Sequence, residues 1–334
     1  MTSSCSMSTK SQTYRPMRDD LFEYADLSAK ICIKPGLKIR GWLTHLINKP
    51  HVVQRLTDRS YLVGAAGYNA TVHVGRNGVL LVSPQSGIAA THTLQAIRTI
   101  TDLPITAVVY THYHLDHVEG IHAVLDESRQ RSVTQPAIWA TDLTAGRIVK
   151  FGNKVPLPTN VIPGHEGEFQ FEDIHVAVNT PRDNGHCVDN AIVHLKEEKI
   201  AQFDDMLEPE CMPFPHFGPQ EDLIAFEENL QLLHGMEWDF VNGGHGNIGG
   251  KADVRFYLDY FNDLRNKTGE VMERLSMTDF IVPTYSYMGS WMNYLKAASA
   301  LVKEELRPKY GLYYGFEESV PTHVEMMLSV LISY

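Results

Sequence analysis

Cysteine is scarce in this chain of 334 residues: Cys5, Cys32, Cys187 and Cys211 are too few and too scattered for a disulfide framework. Basic charge is also short. Lys+Arg number 29 against 40 Asp+Glu, a formal charge of −11, so no basic stripe is available to neutralise phosphates. No apolar run approaches the roughly 18 residues of a membrane-spanning helix. The polar opening MTSSCSMSTKSQTYRPMRDD lacks the apolar stretch of a secretory signal, and no GxSxG nucleophile elbow occurs. These absences leave a small molecule as the expected partner, with no nucleic acid, no membrane and a cytoplasmic location. A homodimer is the one assembly left open.

Apolar residues make up 43% of the chain and aromatics 10%, enough to bury a full core. No repeat of period 20–50 and no low-complexity linker interrupts it. Residues 1–16 read as a flexible tail. A short helix is expected from Asp20 to Ile31, followed by a turn-rich connection that lies against a later core or a partner subunit. Short β-type runs then follow at 60–64, 70–75 and 78–83, and Asn77-Gly78 between the last two is a strong hairpin signal. A helix is expected over 87–99, with Ala90, Leu94, Ala96, Ile97 and Ile100 on one side. The almost wholly apolar run 105–110 reads as a buried strand.

Strands and helices alternate onward: 137–141, a helix near 142–150, 174–178, 190–195, 199–203, a helix over 221–234 and a short strand at 239–242. From about residue 252 the pattern turns helical, with further amphipathic stretches at 291–306 and 324–332. The expected division is a lead-in segment (1–50), an α/β catalytic domain (51–260) and a C-terminal helical extension (261–334).

The apolar strand 105–110 runs into Thr111-His112-Tyr113-His114-Leu115-Asp116-His117. One such histidine alone would read as a surface residue. Three histidines and an aspartate within six positions, at the end of a buried strand, read differently. Alternate strand residues share a face, so His112 and His114 point the same way, and Asp116 and His117 reach that point from the following turn. Imidazole and carboxylate donors without thiolate suit a borderline-soft divalent cation.

This run resembles the HxHxDH motif of the metallo-β-lactamase superfamily, and the resemblance extends over about residues 52–260. It implies a four-layer αββα sandwich with the site at one sheet edge. It also implies three later ligands: His186 in NGHCVDNAIVHL, Asp205 in AQFDDMLEP and His245 in the glycine-rich VNGGHGNIGG. Carried over, His112, His114 and His186 hold one metal, Asp116, His117 and His245 a second, and Asp205 bridges, with the adjoining Asp204 as the alternative bridge. Two divalent ions, zinc with iron or manganese as alternatives, would hold a nucleophilic hydroxide, and Asp116 is the expected catalytic side chain.

True β-lactamases of the commonest type use a cysteine where this chain has Asp204-Asp205-Met206. The ligand set is more similar to glyoxalase II, lactonase and thioesterase members. The expected function is therefore hydrolysis of an ester, lactone or thioester. A β-lactam or amide hydrolase, an iron-loaded oxidoreductase and a non-catalytic binding protein are the alternatives. One departure stands out: the family's GVLLVD-type strand ends here in Ser83, which predicts altered support behind the metal loop. Tyr113, Met206, Phe214, His216 and Phe217, with Trp139, are the candidate pocket residues. The cluster Tyr285, Tyr287, Met288, Trp291 and Met292 reads either as helix packing or as a cap on the pocket.

Overall fold

Val79 and Leu81 point to one face of their strand and Leu80 and Val82 to the other, and all four are fully buried. A strand apolar on both faces needs cover on both sides, and the architecture supplies it. The computed structural model describes residues 17–284 and 286–333, with Ile47 by its backbone alone. The expected tail over 1–16, and Tyr285, lie outside the described residues.

A two-stranded parallel ribbon, β1 (Tyr24–Ala25) and β2 (Lys38–Ile39), leads to α1 (Trp42–Asn48). A seven-stranded sheet follows, with its strands in sequence order: β3 (Val52–Arg55), β4 (Ser60–Ala65), β5 (Tyr68–Val74), β6 (Val79–Val82), β7 (Ile105–Val109), β8 (Ala137–Thr141) and β9 (Asn160–Ile162). The first four form an antiparallel meander and the last four run parallel. The parallel pairs are joined through α2 (Gly87–Ile100), through α3 (Leu115–Val118) with α4 (Ile121–Gln130), and through α5 (Asp142–Phe151). The second sheet has five strands: β10 (Gly167–Phe171), β11 (Ile174–Asn179), β12 (Ile192–Leu195), β13 (Ile200–Gln202) and β14 (Phe240–Asn242). Between β13 and β14 lies α6 (Leu223–Gly235), and α7 (Lys251–Arg274), α8 (Tyr287–Tyr310) and α9 (Phe316–Ser333) follow.

Period-2 alternation sorts the side chains into layers. Leu80, Val82, Ala107 and Val109 meet Val176, Val178, Val193 and Leu195 between the sheets. Val79, Leu81, Ile105 and Val108 pack outward under Ala96, Ile97, Val124 and Ile148 of α2, α4 and α5. On the far side, Ile192, Ala201 and Val241 lie under α6, α7, α8 and α9 through Leu230, Val254, Phe261, Val302 and Val324. The layers are helices, sheet, sheet, helices: the αββα sandwich, with the C-terminal helices forming much of one outer layer.

The segment from Asp20 to Ile31 is not helical. Tyr24–Ala25 pairs with Lys38–Ile39, and the backbone of Ser28 bonds to Gln54 Oε1 (3.0 Å) and to the Arg55 N–H (3.3 Å). Neighbouring strands capture the backbone groups a helix would use, and local propensity gives way to tertiary context. The lead-in packs on the main body, with Ile33, Ile39 and Trp42 in the inter-sheet core. It is also tied there by a buried ion pair. Lys38 Nζ lies 2.5 Å from Asp253 Oδ2 and donates to Ile248 O at 3.1 Å, and the same carboxylate caps α7 through the Gly250 N–H (2.7 Å). Removing one partner of a buried pair leaves the other charge uncompensated. Lys38→Ala is therefore expected to lower unfolding free energy by about 3–5 kcal/mol, measured by denaturant titration; a loss under about 1 kcal/mol would show that the pair is solvated.

Candidate metal centre

The C-terminal end of β7 carries the chain inward to Thr111 and His112, which are fully buried. His114 then starts the single turn of α3, which places Asp116 and His117 beside it. His186 comes from the loop before β12, Asp205 from the loop after β13, and His245 from the turn after β14. Seven residues from four separate segments meet at one edge of the sandwich.

The Asp205 carboxylate is central. Its Oδ2 lies 3.4 Å from His112 Nε2 and 3.1 Å from His186 Nε2. Its Oδ1 lies 3.3 Å from His117 Nε2 and 3.0 Å from His245 Nε2. His114 Nδ1 faces His186 Nε2 at 3.0 Å, and Asp116 Oδ2 lies 3.6 Å from His117 Nε2. Donor atoms of His112, His114 and His186 lie within 4.8 Å of one another, and so do those of His112, His117 and Asp205, and those of Asp116, His117 and His245. The Cys187 thiol joins the first group. It is buried and donates to Asp189 Oδ1 at 3.4 Å, and burial pushes its pKa up, so it stays a thiol.

Two observations test whether these residues fit metal ions. His112 Nε2 and His117 Nε2 are buried without a hydrogen-bond partner; such atoms are rare unless something else satisfies them. The far ring nitrogens, in contrast, are held. His112 Nδ1 meets Thr111 Oγ1 (3.2 Å), His186 Nδ1 meets Gly218 O (2.9 Å) and His245 Nδ1 meets Gly67 O (2.9 Å). An imidazole fixed from behind with its inner nitrogen unpartnered, as at His112, is the arrangement of a metal ligand.

The electrostatics agree. Burial pushes His112 down to about 3; burial, with His186 adding to it, pushes His114 down to about 4. Both imidazoles therefore offer lone pairs. Burial also opposes charge on His117, but Asp205 and Asp204 outweigh it and hold its pKa well above the ordinary value. Burial is likewise outweighed by Asp205 at His245, which is raised to about 9. Asp205, which burial alone would raise, is held well below the carboxylate range by His117 and the hydrogen bonds of its neighbours. The ring draws positive charge to its centre.

Asp204 does not face the ring. Its Oδ2 accepts from Thr111 Oγ1 at 2.7 Å and lies 3.1 Å from His117 Nδ1, while Oδ1 accepts from Gln202 Nε2 at 2.8 Å. Ser83 Oγ also lies 3.1 Å from His117 Nδ1. The acid missing at the end of β6 is thus replaced from the other sheet, and Asp204 and Ser83 orient His117 together. Asp205, which is brought into the ring, adopts φ 63°, an uncommon backbone conformation that functional sites retain. At Gly244 (φ 81°) a Cβ would lie 2.8 Å from Asp204 Oδ1 and 3.0 Å from His117 Cε1. Only glycine lets that turn close over the site.

The ring opens into a cavity of about 860 Å³. Met206, Phe214 and Phe217 line it. Tyr113 does not; its ring stacks on Phe151 at 4.9 Å. Trp139 stacks on Phe169 at 4.0 Å between the sheets. Tyr287, Met288 and Met292 are exposed, Trp291 stacks on Tyr294, and none of the four lines the cavity. Tyr257 of α7 lines it, and α9 supports the lining from behind. His323 sits 4.0 Å from Phe217, ring to ring, accepts from Tyr260 OH (2.8 Å) and donates from Nε2 to Phe214 O (2.9 Å). His216 lies outside the lining, and its N–H is held by Thr322 Oγ1 at 2.8 Å. These contacts pin a loop with φ 58° at His216 and 59° at Phe217. The same loop supports the ring, because Gly218 O holds His186 and Gln220 Nε2 donates to Asp205 O at 2.9 Å.

Sequence reading missed Thr111, Gln220, Tyr257, Glu208 and His323 as parts of the site. Only Thr111 sat beside a signal. His323 lies more than a hundred residues from the loop it holds, with nothing local to mark it.

A four-layer αββα sandwich with imidazoles and carboxylates converging at one edge defines a class of metal-binding hydrolases. The chain belongs to the metallo-beta-lactamase superfamily, whose family model matches residues 64–305. Among curated proteins it is 21% identical over 302 residues to a linear primary-alkylsulfatase of a Pseudomonas species, covering 74% of this chain and 56% of that protein. It is 23% identical over 215 residues to a beta-lactamase-like protein 2 homolog of Drosophila melanogaster, covering 61% of this chain and 64% of that protein. The chain thus spans less than two thirds of either relative. Among solved structures, a metallo-beta-lactamase from Pontibacter korlensis superimposes with a TM-score of 0.52 at 19% identity, over 64% of this chain and 99% of that one; that likeness is one of fold.

Two outcomes are expected. Asp204→Asn should weaken metal binding about 10–100-fold in competition with a chelator, and more than Ser83→Ala does; equal effects would remove Asp204 from its role. Burial, with His216 adding to it, holds His323 down to about 3. Its folded pKa lies below the free value of about 6.5, so its stabilising contribution is present above that value and is lost as pH falls from about 6.5 toward 3. His323→Gln should flatten the acid side of the stability profile; an unchanged profile would contradict a buried neutral imidazole.

Proposed function

We propose that this protein is a dinuclear metallo-hydrolase that cleaves an acyl bond (ester, lactone or thioester) of a small molecule. The observation that carries the reading is the ring itself: five histidines and two aspartates, with buried inner nitrogens lacking partners, opening directly onto an apolar cavity. His112, His114 and His186 are assigned to one cation, Asp116, His117 and His245 to the other, and Asp205 to both. Zinc is the proposed metal, since nitrogen and oxygen donors in such a set suit it. Bound there, divalent cations supply a water ionised near neutral pH and polarise a carbonyl.

The chain's own groups do the remainder. His186 and His245, fixed by Gly218 O and Gly67 O, keep their inner nitrogens aimed at the reacting centre. Asp116, at the cavity face of the ring and less buried than Asp205, is placed to orient the attacking water and to pass a proton to the leaving group. Met206, Phe214 and Phe217 exclude water from the acyl chain.

A second reading is hydrolysis of a sulfate ester, favoured by the similarity to the Pseudomonas alkylsulfatase. A panel of neutral esters, thioesters, lactones, β-lactams and linear alkyl sulfates separates the two. At least one ester, thioester or lactone should turn over, and His112→Ala and Asp205→Ala should each lower kcat at least about 10³-fold with the circular dichroism spectrum retained. Turnover of alkyl sulfates alone would replace the acyl-bond reading, and undiminished turnover in both variants would refute the site.

A further inference from the structure

The cavity in front of the ring has an unusual balance of charge. Its wall is apolar and aromatic, built from Tyr68, Met206, Phe214, Phe217, Pro219 and Tyr257. The charged groups that line it besides the ring are Glu208 and Glu221; no lysine or arginine lines it among the described residues. Neither carboxylate has a salt-bridge partner there. Glu208 is fixed by its backbone, which accepts from and donates to Tyr257 OH (3.2 and 2.8 Å); burial pushes its carboxyl pKa up, opposed by His245 and reinforced by Asp205. Glu221 stands at the mouth, exposed, with its N–H donated to Gly185 O at 2.7 Å.

A substrate anion held away from the ring would lose water here and face Glu208 and Glu221, with no lysine or arginine in the lining to receive it. Sites that recognise carboxylate or phosphate supply arginine or lysine for that purpose. An uncharged apolar chain would meet a wall that gains from covering it. Like charge in a partly desolvated cleft discriminates more strongly than in water.

We infer that this pocket selects acyl substrates whose acyl chain is uncharged and apolar, and that Glu208 and Glu221 are specificity-determining residues that turn away anionic chains. The inference rests on the acyl-hydrolase reading above and narrows it. Free-acid-bearing thioesters and carboxylate-bearing lactams fall outside the class; neutral medium-chain or aromatic esters and lactones fall inside it.

The test uses the metal-loaded protein and a matched pair of probes, p-nitrophenyl hexanoate and the mono-p-nitrophenyl ester of adipic acid, which differ by a terminal carboxylate. The neutral ester is expected to have a kcat/KM at least about tenfold higher, within the range for leaving one polar group desolvated and unpaired. The double variant Glu208→Gln, Glu221→Gln should shrink that ratio at least about threefold. A second readout needs no turnover: binding of hexanamide and adipamic acid to the metal-free protein by calorimetry, with hexanamide expected to bind more tightly. Preference for the anionic ester or amide, an unchanged ratio in the double variant, or no binding of hexanamide would each overturn the inference. If neither ester is hydrolysed but hexanamide binds preferentially, the acyl-bond reading fails and the charge selection stands.

Discussion

One carboxylate facing four imidazole nitrogens is the constraint on which the rest of this molecule turns. Asp205 sits 3.0–3.4 Å from His112, His117, His186 and His245, on a left-handed backbone that its neighbours must enforce. Such a cluster is costly to bury unless positive charge is held within it. Most features around it serve that end. Two sheets pack face to face so that the ends of β7, β13 and β14 come together. Asp204, Thr111 and Gln202 form a buried polar pillar that ties the two sheets behind His112 and His117. The turn at Gly243 and Gly244 closes over that pillar because no side chain is in the way.

The C-terminal helices belong to this account. They cover the outer face of the second sheet, and α9 holds the loop that walls the cavity through His323 and Thr322. From His323 the contacts run through Phe214 and Phe217 to Gly218 and Gln220, and from there to His186 and Asp205. A helix far along the chain therefore sets both a wall of the pocket and the backing of two ring residues.

The ring's first four residues were legible because they share a local pattern: an apolar run, alternate residues on one face, then a turn. His245 was read through resemblance, with its flanking glycines as added support. His186 and Asp205 carried little signal of their own and were read through resemblance. The sheets were legible where apolar runs stood beside turn signals, as at Gly78–Ser83, which follows Asn77 and is apolar on both faces. The failures have physical causes. The stretch Asp20–Ile31 has helix-compatible residues, but its backbone partners lie on strands 14 residues away at Lys38 and 26 residues away at Gln54. Ser83 looked like a lost acid, and the compensating carboxylate, Asp204, arrives from the opposite sheet. Tyr113 was expected in the pocket because pocket walls are usually apolar and aromatic, yet successive residues at a strand end face opposite ways, and it stacks on Phe151 instead.

The chemistry of the site follows from what surrounds the ring. His112, His117, His186 and His245 are held from behind, the centre draws positive charge, and the open side meets an apolar wall with two carboxylates that form no salt bridge among the described residues. The central claim is that these seven side chains hold two divalent cations. Metal quantitation by mass spectrometry on protein expressed with zinc, iron and manganese available tests it most directly. The account predicts close to two equivalents per chain for the wild type, and about one for His245→Ala, in line with the two ligand groups. A wild-type value near zero would contradict it.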